Sequence, residues 1–295
     1  MRFLGFFMHR LLEFRVPELI SVAEMHGLSA ESLRIEWCAP FREQGTFMWI
    51  ELPSVEVAVS ITSRTVLLRG MYQIFASGKT YEEVHRALAA TADEETEAHF
   101  SAEDSFKFEV HAIGRRFHGN EKLELMDRFV RDAPARFKPK GKVNLKAPKR
   151  TFAIIEEHDF QYREDNSTIS TVPEFIYFGL QLSEGNHSIM DRYDLKKRKY
   201  IGTTSMSAEL SFLVANMAKA QRSKLIIDPF VGTGSLLVAC SHFGASLIGA
   251  DIDVRVLKGK GDKDILANYS QYGLPLPLDL VRCDNARNVR ARSSS

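Results

Sequence analysis

Between Ile226 and Cys240 the sequence reads IIDPFVGTGSLLVAC. An apolar run ends on Asp228, passes Phe230, turns on Gly232 and Gly234 and re-enters an apolar segment. Glycines so spaced admit positive backbone dihedrals and put no side chain between the main chain and a ligand. Asp251 and Asp253, in GADID, follow 19 and 21 residues after Gly232, and RCDNA later supplies Asp284 beside Asn285. A phosphate-cradling loop would need a Lys ahead of its Ser or Thr, and there is none here. A dinucleotide fingerprint would put its third glycine where Leu237 stands, and a bulky residue there opposes close helix–strand packing. The class that remains is S-adenosylmethionine, a nucleoside cation without phosphates. Asp228 would face its charged groups, Asp253 or Asp251 would accept from its ribose (Asp253 slightly preferred), and Asp284 or Asn285 would hold the adenine amine. Phe230 completes the candidate cofactor set. Singly, each residue is compatible with a tight turn or a capped loop end; the ordered set on successive strands carries the expectation.

Those residues need a scaffold that presents strand ends side by side. KLIID, SLIGAD and LDLVRCD read as strands, and SLLVACSHFG and DILANYSQYG as the helices between them. Such alternation, with apolar strands, predicts a parallel, doubly wound, Rossmann-like sheet whose ligand sits beyond the carboxyl ends. A helix over SMSAELSFLVANMAKA precedes it, with Ser205 as the expected N-cap. Upstream the pattern is α+β without internal repeat. FLGFFM, LRIEW, FMWIEL, FKFEVHAI, RTFAIIEEH and EFIYFGLQL read as strands. Helices are expected from Pro17 towards Gly27, from the capping-box pair Thr80 and Glu83, and over NEKLELMDRFVRD. The boundary between the two patterns is expected between residues 182 and 200.

Charge is nearly balanced, 39 Lys and Arg against 38 Asp and Glu, but it is segregated. Residues 93 to 104 carry six acids and no Lys or Arg, whereas residues 131 to 150 carry eight Lys and Arg against one acid. Lys138, Lys140, Lys142, Lys146, Lys149 and Arg150 are interleaved with Pro and Gly, which suggests a loop presenting charge to RNA phosphates. A second basic cluster, Lys196 to Lys199, is a further candidate for the same RNA. Phe137, Phe152, Tyr177 and Phe178 are expected in the core rather than as stacking platforms. Cys38, Cys240 and Cys283 are scattered and form no C-x-x-C, so neither a disulfide frame nor a zinc site is expected, in keeping with a cytosolic or nuclear protein, with the cytoplasm the expected location. No apolar run reaches the length of about 18 residues that a membrane span needs.

Beyond these local signals, LEFRVPEL, KGKVNLKAP, YDLKKRKYIGTTSMSAELSFLVAN, DPFVGTGSLLVACSHFGA and GADID resemble, in order and spacing, the tRNA guanine-10 methyltransferases of eukaryotes and archaea. The resemblance implies an N-terminal ferredoxin-like region over 1–60, a THUMP-like RNA-binding domain over 61–185 and the N-terminal half of a class I methyltransferase domain over 186–295. It implies methylation of a guanine exocyclic amine in tRNA, S-adenosylmethionine as donor, and a small zinc-binding activator protein as partner. One element of the pattern is missing. The Asp/Asn-Pro-Pro-Tyr/Phe motif that holds the amine in such enzymes has no counterpart, since DPF at Asp228 belongs to the first strand's turn. After VRCDNA only RNVRARSSS follows, so the chain is expected to be C-terminally truncated, and no residue is assigned as catalytic. The alternatives are a non-catalytic tRNA-binding form and an amino-methyltransferase of another RNA. The first 180 residues are expected to fold alone, and the C-terminal part to depend on a partner.

Overall fold

The computed structural model describes residues 1–38, 45–91, 94–158 and 172–284. In chain order the elements are β1 (Arg2–Phe7), α1 (Arg15–Glu24), β2 (Ile35–Trp37), β3 (Phe47–Glu51), α2 (Val55–Arg64), β4 (Leu68–Gly78) and α3 (Tyr81–Ala90). They continue with α4 (Glu94–Ala98), β5 (Phe106–Ile113), α5 (Glu121–Asp132), β6 (Arg150–Glu157), β7 (Phe175–Glu184) and α6 (Ser188–Arg192). The last are α7 (Ala208–Met217), β8 (Leu225–Asp228), α8 (Ser235–His242), β9 (Ser246–Asp251), α9 (Val254–Lys258), α10 (Ile265–Tyr272) and β10 (Asp279–Arg282). The chain divides into two compact units, neither of them continuous in sequence. One holds Met1–His9, Arg34–Val59 and Gly70–Glu184; the other holds Arg10–Leu33, Ser60–Arg69 and the chain from Gly185 onward.

In the first unit a seven-stranded sheet runs in the order β2-β3-β1-β4-β7-β6-β5. Its β1–β3, β2–β3, β4–β7 and β6–β7 pairs are antiparallel, and β5 lies parallel to its neighbour β6. The core is aromatic. Phe100 stacks on Phe152 with centroids 4.6 Å apart, and Phe137, Phe152, Tyr177 and Phe178 are all buried, as expected for core side chains. Helix α3 starts at the anticipated capping box. Thr80 Oγ1 accepts from Glu83 N at 3.2 Å, while Glu83 reaches back to accept from Lys79 N at 2.8 Å, one residue before the cap itself.

The second unit carries a parallel three-stranded sheet in the order β10-β9-β8. This is the α/β part expected after the α+β part. Buried side chains of α8 cover one face. Leu237 reaches the strand because β9 gives way: a Cβ at Gly249 would lie 2.9 Å from Leu237 Cδ1 and from Val231 Cγ2. The glycine that permits close helix–strand packing therefore sits on the strand and not on the helix.

The same unit draws in distant sequence. Glu18 on α1 is buried and accepts from Val66 N at 2.7 Å, Leu67 N at 3.0 Å and Asn216 Nδ2 at 2.7 Å. Arg64 donates to Ala220 O and lies 3.7 Å above the Phe243 ring. The first 180 residues therefore do not make a self-contained body, because α1 and residues 60–69 find their packing partners after Gly185. A smaller correction concerns α7. Its N-cap is Ser207, whose Oγ accepts from Leu210 N at 3.3 Å, and not Ser205, which lies too far upstream to reach the first free amides.

Candidate functional site

Every member of the candidate cofactor set lies at one end of the parallel sheet. Asp228 closes β8 and Asp251 closes β9; Asp284 follows β10, whose Arg282 pairs in register with Asp251. Asn285 falls outside the described residues. The turn after β8 is held by one of its own side chains and by backbone bonds. Asp228 Oδ1 accepts from Phe230 N at 3.0 Å, Val231 N donates to Ala250 O at 2.8 Å, and Gly234 N donates to Val231 O at 2.8 Å. Asp251 ties the second strand to this turn. One carboxylate oxygen accepts from Gly232 N at 3.0 Å and the other from Asp253 N at 2.9 Å.

The two glycines serve different ends. Gly232 has φ +49°, and a Cβ there would meet nothing nearer than Thr204 Oγ1 at 3.8 Å. Gly234 has φ +81°, and its Cβ would fall 2.9 Å from Ile265 Cγ2, at the start of α10. Packing thus excludes a side chain at Gly234, while a Cβ at Gly232 would make only ordinary van der Waals contact. Phe230 is 76% exposed at its rim. Burial pushes the Asp228 carboxyl up, with the Phe230 amide opposing and Asp251 adding to the shift. Asp253 is different: it caps α9 by accepting from Arg255 N at 2.9 Å and binds the Arg255 guanidinium, which brings its pKa down to about 2.

A strap across the turn is not anticipated from sequence, which marks this segment only as a basic cluster and the approach to a helix. Residues 197 to 205 are held by side-chain amides of α10 and by hydroxyls. Asn268 accepts from Tyr200 N and donates to Tyr200 O, both at 2.9 Å, and Gln271 accepts from Lys199 N at 2.8 Å while donating to Lys197 O at 2.6 Å. Ser205 Oγ and Thr233 Oγ1 lie 2.6 Å apart, and Arg198 donates to Ser235 Oγ at 2.6 Å. Arg198 is only 6% exposed, so this member of the second basic cluster turns inward and not towards a bound RNA. The signal was the segment KKRKYIGTTSMSAEL, which marked a resemblance without showing a contact.

The basic loop of the first unit runs beside β5, where Val143 bridges Phe106 in parallel. Its candidates divide. Lys140, Lys142 and Lys146 are exposed. Lys138 donates to Arg131 O at 2.8 Å, whereas Lys149 and Arg150 pair with the buried Asp104, whose carboxyl they hold below the usual range. Gly141 lets the loop lie on that site, since a Cβ there would overlap Asp104 O.

Comparison with known proteins covers most of the chain. Residues 1–187 match the family described as the Tmrp11 THUMP N-terminal domain. The chain belongs to this family. Among its relatives, the tRNA (guanine(10)-N(2))-methyltransferase TRMT11 of Mus musculus is 34% identical over 278 residues, covering 89% of this chain and 57% of that protein. The Homo sapiens TRMT11 is 34% identical, with 89% and 56% covered, and the Saccharomyces cerevisiae tRNA (guanine(10)-N(2))-methyltransferase is 36% identical, with 94% and 61% covered. The chain thus spans little more than half the length of the curated relatives it matches. Among the described residues no helix is long and apolar enough to cross a membrane.

Proposed function

We propose that this chain belongs to an S-adenosylmethionine-dependent enzyme that methylates the exocyclic amine of guanine 10 in tRNA. The observation that carries the proposal is the conjunction of a THUMP-family chain with a glycine turn of positive φ flanked by acids at the end of a parallel sheet. The cofactor supplies an electrophilic methyl group. Gly232 and Gly234 let the backbone approach it, Phe230 rims the turn, and Asp228 offers negative charge to its cationic part. For the ribose, Asp251 is favoured over Asp253, because the Asp253 carboxylate is already occupied by the Arg255 guanidinium and amide while each Asp251 oxygen accepts one backbone amide. Asp284 is the candidate for the adenine amine.

The N-terminal ferredoxin-like region and THUMP domain would grip the RNA, with Lys140, Lys142 and Lys146 as the readiest phosphate contacts and Lys138, Lys149 and Arg150 as support for their loop. A cytoplasmic location and a small zinc-binding activator protein complete the proposal. Transfer of labelled methyl to unmodified tRNA, with the activator present, tests it. Incorporation that maps to the exocyclic amine of guanine 10 is the expected result, and incorporation at another base would contradict it. Retained binding of S-adenosylhomocysteine and tRNA with no incorporation would favour the second possibility, a tRNA-binding form without methyl transfer.

A further inference from the structure

Among the described residues, the second unit contains a buried cation with no anion paired to it. Arg198 is 6% exposed, and among the described residues the hydrogen bond it makes to another side chain is the donation from Nη1 to Ser235 Oγ at 2.6 Å. Its Nε–H is enclosed and has no acceptor among the described residues. The ion pairs of this unit among the described residues are Arg10–Glu209, Lys219–Glu24 and Arg255–Asp253, and none involves Arg198. A guanidinium carries five N–H donors in a planar fork, and burying one without a counter-charge is strongly unfavourable. Such an arrangement calls for an anion of matching shape.

The place where Arg198 points is itself an anion-favouring one. Ser235 is the first residue of α8, a helix of eight residues whose N-cap is Gly234 and which has no side-chain cap. The free amides of that first turn and the positive end of the helix dipole favour negative charge. Gly232, where a Cβ would make no more than ordinary contact, lies three residues before Ser235, and the hydroxyl of Thr233, next to it in the chain, pairs with that of Ser205. An RNA phosphate is disfavoured at a guanidinium so enclosed; a small ligand seated in the turn is not.

We propose that Arg198 is the anion-binding residue of the candidate cofactor site, its guanidinium holding the α-carboxylate of the ligand's amino-acid part at the first turn of α8. The assignment rests on the cofactor proposal above, and it adds a charge contact that neither the glycine turn nor the acids provide. It also gives the strap a purpose. The amides of Asn268 and Gln271 fix the backbone on either side of Arg198 and so aim its side chain.

Two ligands separate this from a packing role: S-adenosylhomocysteine, which has the carboxylate, and 5′-methylthioadenosine, which lacks the amino-acid part. Calorimetric titrations of each into the full chain would be compared for wild type, Arg198→Met and Arg198→Lys, with melting curves to check folding. Arg198→Met is expected to weaken S-adenosylhomocysteine binding by roughly 10- to 100-fold, the worth of one charged hydrogen-bonded contact, and to leave methylthioadenosine unchanged. Arg198→Lys should restore part of the loss by keeping the charge without the fork. Equal losses for both ligands, or no loss for either, overturn the assignment while leaving the cofactor proposal standing. If wild type binds neither ligand, the cofactor proposal falls and this assignment with it.

Discussion

Alanine at Gly234 and alanine at Gly232 should behave differently, although the two glycines share a turn and both have positive φ. At Gly234 two costs add. Placing an L-residue at φ +81° costs about 1–2 kcal/mol. The new methyl would also meet Ile265 Cγ2 at 2.9 Å, and because Ile265 is fully buried, relieving that overlap costs about 1–3 kcal/mol more. The sum is about 2–5 kcal/mol. At Gly232 only the backbone cost applies, about 1–2 kcal/mol, because the nearest atom is 3.8 Å away. On the cofactor proposal its methyl would stand between the backbone and the ligand, so Gly232→Ala should lose ligand binding out of proportion to its stability. Urea unfolding, with calorimetric titration of S-adenosylhomocysteine, measures both quantities. Repeating Gly234→Ala in an Ile265→Ala background, itself costly by about 2–5 kcal/mol, should remove the steric share and leave only the backbone share. Equal destabilisation at the two glycines, or no coupling between positions 234 and 265, would refute the division of roles.

Glu18→Gln should destabilise the protein by about 3 kcal/mol, since a buried acceptor of three N–H groups becomes an amide that presents hydrogens to some of them. Denaturant titration against Glu13→Gln as control measures this, and a change below about 0.5 kcal/mol, the usual range for surface substitutions, would contradict it. Glu157 is buried, and burial raises its pKa to about 8 despite the Tyr177 hydroxyl. The folded state therefore holds that proton more tightly than the unfolded chain. The resulting stability is complete below about pH 4.5, is lost as pH rises towards 8, and amounts to roughly 1.4 kcal/mol per pKa unit. Unfolding midpoints of wild type and Glu157→Gln should converge at pH 5 and diverge at pH 8 in favour of the variant; parallel curves would count against it. Replacing Lys140, Lys142 and Lys146 with Gln should weaken tRNA binding and reduce the slope of log affinity against log salt by about 1 for each lysine that meets a phosphate. An unchanged slope would return that loop to ordinary solvated surface.

What the sequence disclosed depended on how local the signal was. The parallel strands were readable because KLIID and SLIGAD are short apolar runs ending in acids, and the start of α3 because Thr80 and Glu83 lie within one turn. β4 escaped notice because its register shifts between Met71 and Tyr72 and between Ile74 and Ala76, which breaks the alternation that marks a strand. α2 was hidden by VEVAVSITSR, whose β-branched residues favour strands, although Ser54 accepts from Val57 N at its start. Glu18 could not be read at all, because its partners lie 48, 49 and 198 residues away. At the site, the glycines and acids singled out by residue type share one end of the parallel sheet. That Asp251 holds Gly232 N, that Asp253 is taken by Arg255, and that Arg198 turns inward are facts of packing that spacing does not encode.

The most direct test of the central claim is calorimetric titration of S-adenosylhomocysteine into the full chain, wild type beside Gly232→Val. Binding at one site in the wild type, abolished in a variant that still melts cooperatively, is the predicted result. Equal affinity in the two proteins, or no binding by the wild type, would contradict the claim that the turn between β8 and α8 holds the methyl donor.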